Sequence, residues 1–304
     1  MVSSNMQQKR VTLANGIELD VVDTGPSDAQ VLIFLHGFPE SHRTWRHQIA
    51  QFSDRYRCIA PDQRGYRGSS RPLDPEMYST DKLIGDIFLL ADALDVEDFT
   101  IVGHDWGGAI AWGVALGGQA IGRVKRAVIA NAPHPAIFQK LLYTDRVQRE
   151  ASQYMRAFRD PSHDEFIREA GLAAFLSREA EWESATPMET KDRALQLEDW
   201  ANPDTRIAML NWYRGSAMVV PTVDEPYELP ADFSPPSLPN LTIPTLVIWA
   251  MDDLALPSVN LQGMENFVDD MRLVEVPDCG HFVSWEAPEK FNAALENFLA
   301  ETSG

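Results

Sequence analysis

The stretch Phe99-Thr100-Ile101-Val102-Gly103-His104-Asp105-Trp106-Gly107-Gly108, continued by Ala109-Ile110-Ala111-Trp112, decides how this chain is read. Phe99 to Val102 is a short apolar, β-branched run that suits a buried strand, and after Gly107 apolar residues recur at helical spacing. Asp105 therefore sits on a strand-to-helix turn, with its carboxylate at the top of a sheet. Gly103 and Gly107 flank it two residues to either side, the G-x-S-x-G spacing of a sharp turn that exposes a strained central residue. Here that residue is aspartate instead of serine.

The exchange changes the chemistry. A serine needs a base to take its proton before it attacks, whereas an aspartate is an anion at neutral pH, and the helix N-terminus beneath it favours that charge. Carboxylates are poor nucleophiles toward acyl carbon, but they displace an activated leaving group at saturated carbon and form an alkyl ester, which water must then cleave. An isolated aspartate before a helix ordinarily serves only as its N-cap. The glycines, the preceding strand and the partners described below favour the chemical role.

The 304 residues suffice for a large α/β core, and 44% hydrophobic with 23% charged residues is ordinary globular composition. A net charge of -19 argues against nucleic acid as a partner, which calls for a basic footprint. No apolar run approaches the about 18 residues of a membrane helix, and Met1 to Gln8 lack the apolar centre of a signal peptide. Cys58 and Cys279 make no disulfide framework, so the expected setting is a reducing cytoplasm without membrane attachment.

Working outward, Lys9 to Leu13 and Ile17 to Val22 flank an Asn15-Gly16 turn and predict a β-hairpin. Val31 to Leu35 is uniformly apolar, as in a strand covered on both faces, and runs into His36-Gly37-Phe38-Pro39-Glu40 at the sheet edge where ligands bind in open α/β folds. A strand at Tyr56 to Ala60 follows, then a helix from Asp81 to Leu94 with Thr80 as N-cap and Lys82, Asp86 and Ala93 on its outer face. The helix after Asp105 extends to Leu116, and a strand covers Val124 to Ala130. From Ala136 to about Val219 the periodicity is helical, with helices expected at Asp145 to Arg159, Asp164 to Leu176, Glu189 to Trp200 and Thr205 to Ala217. Val220 to Pro244 reads as an extended return. Strands resume at Thr245 to Trp249 and Arg272 to Val276, and Pro288 opens a final helix. The fold class is α/β with a mostly parallel sheet: core at 1–134 and 221–304, helical lid at 135–220.

Two residues complete a triad. Asp253 follows the strand ending at Trp249, His281 follows the strand ending at Val276, and the order nucleophile, acid, histidine is that of α/β-hydrolases. His281 would deprotonate a water and aim it at the Asp105 ester, while Asp253 orients the ring and steadies the imidazolium. Asp252 is the rival acid; alignment with the motif favours Asp253. Of the remaining histidines, His42, His47 and His163 read as surface or loop residues, and His36, His104 and His134 as holders of backbone beside functional loops. Cys279 reads as packing. No C-x-x-C or H-E-x-x-H motif is present, so no metal is expected.

His36-Gly37-Phe38-Pro39-Glu40-Ser41, Gly103-His104-Asp105-Trp106-Gly107-Gly108, Asn211-Trp212-Tyr213-Arg214 and Gly280-His281-Phe282 together resemble the soluble epoxide hydrolases of the α/β-hydrolase superfamily, over nearly the whole chain. The resemblance implies hydrolysis of a small-molecule epoxide by water to a vicinal diol, with no cofactor. It implies that two lid tyrosines donate hydrogen bonds to the oxirane oxygen: Tyr213, within Asn-Trp-Tyr-Arg, and Tyr154, matched through the flanking Phe158 and Pro161. A phenol suits this task because its proton stays in place throughout the neutral range. It implies an oxyanion hole of the backbone N–H groups of Phe38 and Trp106. One departure stands out: Gly65-Tyr66-Arg67 replaces the Gly-Tyr-Gly of the resembling proteins.

An aspartate elbow is shared with haloalkane and haloacetate dehalogenases, which need halide donors in the lid; Trp182, Trp200 and Trp212 keep that reading open. A third reading is a catalytically silent relative that keeps the pocket and binds a small ligand.

Overall fold

In the computed structural model, which describes residues 8–180, 186–235 and 237–302, apolar runs become the strands β1 (Gln8–Thr12), β2 (Glu18–Thr24), β3 (Val31–Leu35), β4 (Arg57–Pro61), β5 (Phe99–His104), β6 (Val124–Ala130), β7 (Thr245–Ala250) and β8 (Met271–Val276). Among the described residues they form one sheet in the order β1-β2-β4-β3-β5-β6-β7-β8. The opening hairpin pairs antiparallel, as does β2 with β4, and every other pair is parallel. Side chains alternate between two cores. Ile33, Leu35, Ile101 and Val247 face one, while Leu32, Phe34, Val102 and Ile248 face the other, which is why these strands carry no polar alternation.

Helices α1 (Arg46–Phe52), α2 (Thr80–Ala93) and α3 (Trp106–Ala120) belong to the core, with α11 (Val283–Glu286) and α12 (Pro288–Glu301) at its end. The sequence reading missed α1, whose apolar residues Ile49 and Phe52 are too few to show periodicity. Two expectations for α2 are corrected. Its N-cap position is Ser79 and not Thr80. Asp86 does not face outward: Arg64 donates to its carboxylate from Nε at 2.8 Å and Nη2 at 2.6 Å, both side chains being buried. A charge on a helix is read as solvated by default, and only a partner 22 residues away reverses that.

Between β6 and β7 the chain forms α4 (Pro135–Thr144), α5 (Arg146–Ala151), α6 (Tyr154–Arg159), α7 (Asp164–Ala170), α8 (Leu172–Glu179), α9 (Thr190–Asp199) and α10 (Pro203–Arg214). Two helices expected as single elements are broken. The chain leaves helix at Ser152, ahead of α6, and at Gly171, where φ is 92°. Arg149, fully buried, holds the return segment in place. Its guanidinium donates to the carbonyls of Leu142 at 2.8 Å, Glu225 at 2.7 Å and Pro226 at 3.0 Å and stacks over Tyr227. Among the described residues, no helix is long and apolar enough to cross a membrane.

Candidate active site

The ends of β3, β5, β6 and β7 and the loop after β8 bring the site together. At the end of β5, Asp105 adopts φ 52° and ψ -123°, a strained conformation for a residue with a Cβ. It occupies the N-cap position of α3 without a side-chain capping bond. The carboxylate is therefore free to point elsewhere. The crossing is close: a Cβ on Gly107 would lie 2.1 Å from the Leu35 carbonyl oxygen, and one on Gly37 would lie 2.4 Å from both the Cβ and Oδ1 of Asp105. No side chain fits at either position.

The two oxygens of Asp105 have different surroundings. Oδ1 accepts a hydrogen bond of 2.7 Å from the Phe38 backbone N–H, and Oδ2 lies 3.6 Å from His281 Nε2. Burial raises the pKa of this carboxyl, but the neighbouring His281, together with the Trp106 backbone N–H, holds it below the ordinary carboxylate value. Asp105 is an anion.

His281 Nδ1 bonds Asp253 Oδ2 at 2.7 Å. Asp253 is buried with all its acceptor capacity engaged, because Asn131 Nδ2 donates to the same Oδ2 at 2.7 Å while the Ala255 and Leu256 N–H groups donate to Oδ1 at 2.9 and 3.0 Å. Burial disfavours the imidazolium of His281; the two carboxylates outweigh it and lift its pKa well above the usual value. Asp252, the rival acid, is exposed, and its backbone N–H donates to the Cys279 carbonyl at 3.0 Å.

A second layer fixes the backbone of these loops. His104 Nε2 donates to the His281 carbonyl at 2.7 Å, and His36 bonds the Gly37 carbonyl through Nδ1 at 2.9 Å while its Nε2 accepts from the Gln63 N–H at 3.1 Å. Burial lowers both pKa values to about 4, so both rings are neutral. Glu40 is buried beside them, with Trp285 Nε1 donating to Oε1 at 2.7 Å and Oε2 lying 3.9 Å from His104 Nδ1. His134 instead stacks on Phe267, at 4.2 Å between ring centres. His42 is not a surface residue: it is buried and bonds Asp62 Oδ1 through both its backbone N–H and Nδ1, each at 2.9 Å.

Both expected tyrosines stand over the Asp105 side of the sheet. Tyr213, on α10, packs edge-on against Trp106 and Phe38, each 5.2 Å away, and against Phe158 at 5.0 Å. Tyr154, on α6, lies 6.2 Å from the Tyr213 ring. Burial, and among charges that of Asp105, push both phenols well above their usual pKa, so each keeps its proton.

Residues 30–288 match the alpha/beta hydrolase fold family. A solved structure described as novel epoxide hydrolases of that superfamily, from metagenomes of hot environments, is 66% identical, with a TM-score of 0.95 over 97% of this chain and 99% of that one. The epoxide hydrolase of Bacillus megaterium in complex with an inhibitor is 28% identical with a TM-score of 0.81, over 97% of this chain and 100% of that one. Epoxide hydrolase 1 of Caenorhabditis elegans is 30% identical over 93% of this chain and 68% of its own length. This chain belongs to the epoxide hydrolases of the α/β-hydrolase superfamily.

Within that family the departure at Arg67 is accommodated. Arg67 takes the glycine-like φ of 44°, and its guanidinium donates from Nη1 to Asp62 Oδ2 at 2.9 Å and from Nε to Asp199 Oδ1 at 2.5 Å. Of the tryptophans considered as halide donors, Trp200 gives its Nε1–H to the Pro39 carbonyl at 2.7 Å and Trp212 gives its own to the Arg64 carbonyl at 2.8 Å; Trp182 lies outside the described residues. Cys279 is a buried free thiol whose pKa burial pushes up to about 12, as it does for Cys58. The reading from sequence missed Asn131, Glu40 and Asp62. Only their spatial partners mark them, apart from Asn131, whose place after an apolar strand was a faint signal.

Proposed function

We propose that this protein adds water to an epoxide to give a vicinal diol, through an alkyl ester on Asp105. The observation that carries the reading is the divided environment of that carboxylate, with Oδ1 on the Phe38 N–H and Oδ2 open toward His281. Oδ2 attacks an oxirane carbon, the C–O bond breaks, and its electron pair stays on the oxygen, where Tyr213 and Tyr154 donate hydrogen bonds. Esterification removes the negative charge of Asp105 and with it part of the support for the imidazolium, so His281 releases its proton as the new alkoxide gains one. Now neutral, Nε2 takes a proton from water and the hydroxide adds to Cγ of the ester. The negative charge appears on Oδ1, held by the N–H groups of Phe38 and Trp106. Collapse expels the second diol oxygen, which takes the carboxyl's proton, and the imidazolium again faces a carboxylate.

The engaged indoles of Trp200 and Trp212 weigh against dehalogenation, and an intact triad weighs against a silent binding protein. Two free thiols and the acidic charge favour a cytoplasmic setting. The test is a single turnover of styrene oxide in heavy-oxygen water, followed by peptide mass spectrometry. One labelled oxygen in Asp105 is expected; diol formation with Asp105 unlabelled overturns the mechanism, and chloride release from a haloalkane without diol from any epoxide overturns the substrate class.

A further inference from the structure

The loop that carries the Phe38 N–H is held from two sides. On the core side Asp62 bonds His42, as described, and Ser69 Oγ donates to the Asp62 carbonyl at 2.5 Å. On the other side the loop meets the end of α9. Trp200 Nε1 donates to the Pro39 carbonyl at 2.7 Å, and Ser41 Oγ donates to Asp199 Oδ2 at 2.8 Å. Asp199 also receives Arg67 Nε and has Arg43 Nε 3.4 Å from Oδ2. Trp200 is 3% exposed and the Asp199 side chain 6%. These bonds therefore form away from water, where a lost partner leaves a desolvated group behind.

Their position in the chain matters. Pro39 and Ser41 are one and three residues beyond Phe38, whose N–H must stay on Asp105 Oδ1 at 2.7 Å. An oxyanion donor acts by being held where charge will appear, and the bond weakens steeply once the N–H turns out of line with its acceptor. Phe38 itself has no polar side chain by which the core could grip it. The polar grips on the loop after it come from Trp285 on Glu40, from Asp62 on His42, and from Trp200 and Asp199 on Pro39 and Ser41, and of these Trp200 and Asp199 belong to the helical insert.

We propose that Asp199 and Trp200 are positioning residues for the oxyanion hole: the end of α9 holds the loop so that the Phe38 N–H meets Oδ1, and the hole is complete only with this part of the insert seated on the core. The idea rests on the reading of Asp105 as nucleophile and Phe38 as oxyanion donor. It makes a claim that plain structural cohesion does not. The negative charge develops on Oδ1 only during ester hydrolysis, whereas the attack on the epoxide uses Oδ2. Loosening the clamp must slow the second half-reaction and largely spare the first.

The test uses the full chain with Trp200→Phe, which keeps an aromatic ring at the position and loses the indole N–H, and Asp199→Asn, which keeps the shape and loses the charge. Rapid quench with styrene oxide and intact-protein mass spectrometry gives the two rate constants separately. Ester hydrolysis is expected to fall about tenfold in Trp200→Phe, a fraction of the 10²- to 10³-fold effect of deleting an oxyanion donor, while alkylation changes less than about threefold, so that the covalent adduct accumulates. Asp199→Asn is expected to shift the same way by a smaller factor, and serves alone if Trp200→Phe does not fold. An unchanged ratio of the two rate constants, whether both fall or neither does, overturns the clamp. Wild-type enzyme that yields diol without ever carrying an adduct overturns the underlying mechanism instead, and the two failures are told apart by that control.

Discussion

Asp105 Oδ2 and His281 Nε2 stand 3.6 Å apart while Nδ1 of the same ring bonds Asp253 at 2.7 Å, so one imidazole is shared between two carboxylates. The resting site is an ion triplet in a desolvated place, and under the proposed mechanism its charge state changes with the covalent state of Asp105. That coupling is directly measurable.

Asp105→Asn removes one of the two carboxylates. The His281 pKa, raised in the wild type by Asp253 and Asp105 against burial, is expected to fall by about one to three pH units. An NMR titration of the ring protons reads it, and an unchanged value would show that Asp105 does not act on the imidazole. The linkage has a definite sign. A raised folded-state pKa contributes stability that is present below the unfolded value and lost as pH rises through the folded one. The wild type should therefore lose stability on the alkaline side more steeply than Asp105→Asn.

Tyr213→Phe removes a hydroxyl and leaves the ring packed among Phe38, Trp106 and Phe158. The alkylation rate constant is expected to fall about a hundredfold, as for the loss of one donor at a developing oxyanion, with ester hydrolysis nearly unchanged. Tyr154→Phe should act in the same direction by about tenfold. Rapid-quench measurement of adduct formation decides both.

Asn131 is fully buried; its side chain donates to Asp253 Oδ2 at 2.7 Å and to the Ala250 carbonyl at 3.3 Å, and accepts from the Ala250 N–H at 2.9 Å. Asn131→Ala strands that N–H and loosens the Asp253 carboxylate. The expected loss is about 1–3 kcal/mol of stability by denaturant titration, together with ester hydrolysis slowed more than alkylation.

Glu40 has its pKa raised from 4.5 to about 7 by burial, against the opposing hydrogen bonds of Thr44 and Trp285. The protonated form is thus favoured by folding, so its contribution is full below pH 4.5 and is lost as pH rises through about 7. Glu40→Gln cannot ionise and keeps an acceptor for Trp285. Relative to wild type it should gain stability between pH 5 and 8, by up to about 3 kcal/mol, as read from unfolding midpoints across that range. A constant difference would mean that Glu40 is charged throughout.

What the chain reveals by inspection follows from how local each signal is. The strands are legible because their alternating neighbours are both apolar, and Asp105 is legible because a glycine two residues to each side is a local requirement of the turn. Asp253 and His281 stand in loops that a motif locates. Asp86, His42 and Asn131 were misread or missed because their meaning lies in distant partners: Arg64, Asp62 and Asp253 are 22, 20 and 122 residues away. The hydrogen bond from His104 to the His281 carbonyl spans 177 residues, and no window of sequence contains it. Helix breaks at Ser152 and Gly171 were hidden because the apolar periodicity continues across them.

The missing side chain at position 37 has a practical consequence. With 2.4 Å between its ideal Cβ and Asp105 Oδ1, even a methyl group there would press against the carboxylate and act as a permanently tethered inhibitor. A saturation library over residues 36–41 intended to reshape selectivity should therefore return glycine alone at 37 among active clones, and that position can be omitted from the randomised set without losing any useful sequence.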